Sequence, residues 1–164
     1  MDWGPLDQFG DDRWDRMVAI NLSSVYHLSR AAMPHLVNSK GNIVNMASAA
    51  GLVGIAYTVA YCAVKHGVVG MTKAMAVEFA SKNVRVNCIC PGMVYTPMVY
   101  AAGMSEEMRE SRRMRSALQT EGTGWDVGGG VLYLASDDAR WVTGVVLPID
   151  AGATAISSTP SPVK

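Results

Sequence analysis

Asn42-Ile43-Val44-Asn45-Met46-Ala47, behind Gly41, and Val84-Arg85-Val86-Asn87-Cys88-Ile89-Cys90, stopped by Pro91-Gly92, decide the architecture. Both runs have strand length, are rich in Val and Ile, and end at turn residues. Between them lies a small-residue loop, Ser48 to Tyr57, with Gly51 and Gly54, followed by a helix from about Thr58 to Ser81. The middle of that helix (Val64, Val68, Val69, Met71, Met75, Ala76, Phe79) is apolar on more than one face. It must pack on a sheet on one side and on a second element on the other. Strand, long helix, strand is the pattern of a βαβ unit in a parallel sheet.

Upstream, residues 11–36 read as a helix that Asp11 or Asp12 can cap, with Trp14, Met17, Val18, Val25, Leu28, Ala32 and Leu36 near a 3.6-residue period. Pro34 is expected to kink or end it near its last turn. Downstream come a charged helix over 104–118, in which Glu106/Arg109 and Glu110/Arg113 sit on neighbouring turns, a helix over 125–136, and a strand over 144–149. Residues 157–164, rich in Ser and Pro, are expected to form a flexible tail behind one domain over 1–156. The fold class is therefore α/β: one half of a doubly wound parallel sheet, with about three strands and flanking helices.

Of the 164 residues, 49% are hydrophobic and 17% charged, the composition of a chain that builds a core. Fourteen basic residues balance fourteen acidic ones, which gives no electrostatic reason to expect nucleic acid or an anionic membrane surface. No apolar run has the roughly 18 residues of a membrane span. Cys62, Cys88 and Cys90 lack C-x-x-C spacing and read as free thiols in a reducing cytoplasm, with no metal site.

Tyr61 and Lys65 stand four apart on the second helix, so both project from one face, a turn apart. A phenol ionises near 10, and a neighbouring ammonium favours the phenolate, which makes such a tyrosine usable as a general acid and base. Ser48 follows the first strand at its C-terminal end, where open α/β sheets place their ligands, thirteen positions before Tyr61. Two hydroxyls converging on one oxygen would polarise a carbonyl and stabilise an alkoxide. Each signal alone is weak: Tyr-x-x-x-Lys arises by chance, and a serine after a strand is usually a cap.

Together, Asn21, Gly41-x-Ile43-Val44-Asn45-x-x-Ser48, Tyr61-x-x-x-Lys65 and Asn87-x-x-x-Pro91-Gly92 resemble the short-chain dehydrogenase/reductase family, as do Asp126-Val127, Thr143-Gly144 and Asp150-Ala151-Gly152 nearer the end. The likeness covers roughly residues 5–155 and implies a Rossmann-like fold and NAD(P)-dependent hydride transfer between nicotinamide and an alcohol or carbonyl substrate. It implies that Tyr61 is the proton donor or base, that Lys65 lowers its pKa and binds the nicotinamide ribose, and that Ser48 orients the carbonyl. It implies further that Asn21 holds a water linking Lys65 to solvent, and that Pro91, Gly92, Val94 and Thr96 contact the nicotinamide amide. NAD and NADP stay open, as does the substrate. Met93, Met98, Met104 and Met108 fall where the family has its substrate lid, with core filling the competing reading. A homo-oligomer is expected through helices 11–36 and 58–81, as in the family.

The family's opening strand, glycine-rich turn and helix have no match here, and Gly128-Gly129-Gly130 lie inside a predicted helix with no strand before them. Two expectations follow. The chain is a fragment of a longer oxidoreductase, or it is a short non-catalytic module that pairs with full-length relatives through the same two helices. Either way it is expected to bind nicotinamide cofactor poorly by itself and to turn over little or nothing.

Overall fold

The computed structural model describes residues 3–101 and 103–156; the expected tail over 157–164 lies outside the described residues. Among these residues three strands, β1 (Asn42–Met46), β2 (Arg85–Pro91) and β3 (Val146–Ile149), form one parallel sheet in the order β1-β2-β3. Val44 pairs with Asn87, and Ile89 with both Met46 and Leu147. The helices are α1 (Asp11–Val18), α2 (Ser24–Ser39), α3 (Val59–Phe79), α4 (Pro97–Tyr100), α5 (Glu106–Arg113) and α6 (Gly124–Ala135). The architecture is the α/β half-sheet that the βαβ pattern predicts, a Rossmann-like fragment.

β2 is covered on both faces, and its alternation shows how. Val86, Cys88 and Cys90 face α3, whose Val68, Val69 and Ala76 complete two core clusters. Ile89 points the other way, into Val127 and Leu134 of α6. Val86, Cys88, Ile89 and Cys90 are all fully buried; each large apolar side chain removed from water this way stabilises the fold by about 1.5–3 kcal/mol. β1 is less covered, as the lack of an inner neighbour implies. Its far edge pairs with no strand among the described residues, so it is half-buried and Met46 is 41% exposed.

The first long helix departs from expectation. A π-helical turn, Ala19–Ser23, separates α1 from α2. Nor does Pro34 end the helix, which runs on to Ser39 and closes on Lys40 in the left-handed region. One missing backbone bond is outweighed there by Met33, Leu36 and Val37, which pack on Val84 and Val86. Gly10 occupies the cap position, so Asp11 and Asp12 stand in the first turn at the helix's positive end. The charged helix is shorter than its charge run, and α4, which Pro97 opens, went unpredicted.

Candidate active site

The first two turns of α3 carry Tyr61 and Lys65, and the end of β1 delivers Ser48 to them. Ser48 caps the tight turn Ala49–Gly51, its hydroxyl accepting from the Ala50 amide at 3.2 Å. Gly51 lets that turn lie on α3: a Cβ there would stand 2.8 Å from the Lys65 carbonyl oxygen. The strand, the capped turn and the glycine contact thus set Ser48 beside the start of α3, where its hydroxyl acts to lower the Tyr61 pKa.

Burial holds the Tyr61 phenol above its ordinary value, and the Ser48 hydroxyl works against that rise. Burial likewise holds the Lys65 ammonium below its ordinary value, opposed by the Cys88 and Cys90 thiols beneath it. Lys65 Nζ lies 5.5 Å from the centre of the Tyr61 ring and donates to the Met46 carbonyl at 3.3 Å.

Asn21 is placed differently. It sits in the π-helical turn, and its Nδ2 donates to the Met17 carbonyl at 3.2 Å, with Met17 Sδ at 3.3 Å. Its side chain therefore serves its own helix where the hydrogen-bond ladder changes pitch. Met17 in turn packs with Ala60, Val64 and Tyr61, so Asn21 lies one turn from the wall of the site. A π-helical turn inside an α-helix often marks functional sites.

Pro91 closes β2, and Gly92 donates to the Ile149 carbonyl at 3.0 Å. A Cβ on Gly92 would fall 2.6 Å from Asp150 Cβ, so this turn requires glycine. Val94 bridges to Gly122, and Thr96 precedes α4. Because the sheet is parallel, these residues stand at the same C-terminal end as Ser48. His66 Nδ1 donates to the Cys62 carbonyl, 2.9 Å away, as a packing residue does. Met98 and Met108 are mostly exposed, which excludes them from the core. Gly128 to Gly130 lie within α6, so they form no phosphate-binding turn. The described residues contain no cluster of three metal-ligating side chains, and no helix long and apolar enough to cross a membrane.

A nicotinamide cofactor fits only in part. Lys65 offers three N–H donors, one of them used on Met46, and Tyr61 offers its hydroxyl; these suit ribose oxygens. A glycine-rich cradle for a diphosphate is not found among the described residues.

Sequence reasoning missed the Met46 carbonyl and the Gly51 contact. It also missed a cavity of about 180 Å³ walled by Leu6, Phe9, Trp14, Tyr57 and Tyr61. Backbone acceptors leave no mark in a sequence, and the cavity joins segments some fifty residues apart.

Over residues 2–154 the chain matches the family model described as Enoyl-(Acyl carrier protein) reductase. It is 40% identical over 161 residues to the D-beta-hydroxybutyrate dehydrogenase of Rhizobium meliloti, covering 92% of this chain and 62% of that protein. A solved 4-hydroxyisoleucine dehydrogenase complexed with NADH resembles it with a TM-score of 0.89 at 35% identity, over 95% of this chain and 65% of the other. ElxO with NADP bound gives 0.88 at 32%, over 95% and 64%. The chain therefore belongs to the short-chain dehydrogenase/reductase family, a class of NAD(P)-dependent oxidoreductases. It spans about 62% of the length of that curated relative.

Proposed function

We propose that Ser48, Tyr61 and Lys65 are the catalytic groups of an NAD(P)-dependent alcohol/carbonyl oxidoreductase. The observation that supports the reading is the placement of Tyr61 and Lys65 one turn apart on α3, with Lys65 Nζ 5.5 Å from the centre of the Tyr61 ring and Ser48 at the end of β1 beside them. Bound at Lys65 and along Pro91, Gly92, Val94 and Thr96, the nicotinamide supplies or accepts the hydride. During reduction the carbonyl oxygen accepts a hydrogen bond from Ser48 and takes the Tyr61 proton; during oxidation Tyr61 receives the alcohol proton. A phenol kept protonated by burial suits the donor role at neutral pH. Lys65 gives up its bond to Met46 to hold the ribose, and Asn21 supports the site through Met17 or a bound water.

Either cofactor is compatible, since one solved relative carries NADH and another NADP. The whole enzyme is a homo-oligomer built on α1–α2 and α3, a reading supported by exposed Ile20, Tyr26, Leu28 and Val77 on those helices. The three free thiols fit a reducing cytoplasm. Residues 1–156 act as the catalytic portion of one domain. With no diphosphate cradle among the described residues, the chain by itself is expected to bind cofactor weakly and turn over slowly or not at all.

The test is a chimera that places the N-terminal third of the Rhizobium meliloti relative ahead of Leu6. It should transfer hydride between NAD(H) or NADP(H) and a secondary alcohol or ketone. Tyr61→Phe should lower kcat by about 10²–10⁴-fold. A soluble, folded chimera whose turnover ignores Tyr61→Phe would overturn the reading.

A further inference from the structure

We propose that the substrate is a small, uncharged, apolar alcohol or ketone, seated in the cavity that Tyr61 shares with Leu6, Phe9, Trp14 and Tyr57. The inference rests on the dehydrogenase reading for the reacting bond and adds the chemistry of the rest of the molecule. The cavity holds about 180 Å³, below the roughly 300–1,000 Å³ of sites for drug-sized ligands. A single ring or a short branched chain fits it.

Charge selects further. Asp11 is the one charged residue in the lining. No Asp, Glu, Lys, Arg or His occurs between Lys40 and Lys65, the stretch that holds Ser48 and the rim of the cavity, nor between Arg85 and Glu106, the stretch that leaves the end of β2. The arginine beside the cavity is already engaged. Arg13 donates to the Trp3 and Gln8 carbonyls and lies 4.2 Å over the Phe9 ring. A carboxylate or phosphate entering here would shed water against aromatic rings, find Arg13 engaged and Lys65 bonded to the Met46 carbonyl, and face a like charge at Asp11. An uncharged apolar molecule loses nothing polar, and it covers Trp14 and Tyr57, which are 42% and 66% exposed.

The test is equilibrium binding to this chain without cofactor, with cyclohexanone and the ring-matched 3-oxocyclohexanecarboxylate as probes. The Trp14 indole signal reports by NMR, while Trp125 and Trp141, 90% and 97% exposed, serve as remote references. Cyclohexanone should shift Trp14 saturably and bind about tenfold or more tighter than the carboxylate. Asp11→Lys should narrow that gap. Equal or tighter binding of the carboxylate would overturn the proposal. So would the lack of a saturable Trp14 shift with either probe. Cyclohexanone binding by this chain beside an inert chimera would sink the dehydrogenase reading and leave the pocket assignment standing. An active chimera that prefers the carboxylate would do the reverse.

Discussion

Gly51 rests on the backbone of Lys65, so close that a Cβ at position 51 would lie 2.8 Å from the Lys65 carbonyl oxygen and 3.0 Å from its carbonyl carbon. This contact fixes how far the Ser48 turn stands from α3, and so how Ser48 addresses Tyr61. The site depends on a residue that carries no chemistry.

Gly51→Ala should therefore destabilise the chain by about 1–3 kcal/mol, because backbone atoms must move to admit the methyl group. In the chimera it should also lower kcat. Gly129→Ala is the control: it is exposed within α6 with nothing near its Cβ position, and alanine there should stabilise by about 1 kcal/mol. Thermal denaturation of the two variants checks both signs.

Asn87 is fully buried in β2, its Nδ2 donating to the Val142 carbonyl at 2.9 Å and its Oδ1 accepting from the Val145 amide at 3.1 Å. Those two bonds lock the turn that feeds β3 onto the sheet. Asn87→Leu keeps the branched shape in a somewhat larger side chain and strands both backbone partners, so it should cost about 2–3 kcal/mol in urea-induced unfolding. A loss below about 0.5 kcal/mol would mean that water replaces the amide.

Lys65 gives a pH signature in stability. Burial lowers its pKa in the folded chain, so between that lowered value and the ordinary lysine value the unfolded chain binds more protons. Stability contributed through Lys65 therefore rises with pH across that window, and its burial penalty is greatest below it. Lys65→Met removes the penalty. The variant should melt higher than the parent at neutral pH, with the difference shrinking as pH approaches the ordinary lysine value. A constant difference would show that Lys65 is not desolvated.

Much of this was legible in the sequence because the responsible signals are local. The Val/Ile runs at 42–47 and 84–90 and the doubly apolar helix between them dictate a parallel βαβ unit, and Tyr61 and Lys65 share a face because they are four apart. What stayed hidden depends on distant partners. The π-helical turn around Asn21 belongs to a segment whose periodicity suits an ordinary helix. Pro34 looks like a terminator until Met33 and Leu36 are seen packing on Val84 and Val86.

Arg109 illustrates the same limit. The charge run predicts its link to Glu106, a loose 3.9 Å contact. Its main partner is Glu121, which it meets through two bonds of 2.9 and 3.1 Å from Nε, while its guanidinium lies 4.4 Å over the Tyr95 ring. This clamp ties α5 to the loop that leaves β2. Glu121→Gln should release it and speed limited proteolysis of the segment between Thr96 and Gly122 severalfold, more so at low salt than at high salt, where ion pairing is already screened. Unchanged cleavage would show that the clamp does not hold α5.

The most direct test of the central claim is the titration of Tyr61, followed by NMR of ring-labelled tyrosine with Tyr61→Phe as the assignment control. Burial should place its ionisation above the ordinary phenol value, and Ser48→Ala should push it higher still by removing the hydroxyl that favours the phenolate. A Tyr61 titration indifferent to Ser48→Ala would mean that the two groups do not meet, and the proposed active site would fall with it.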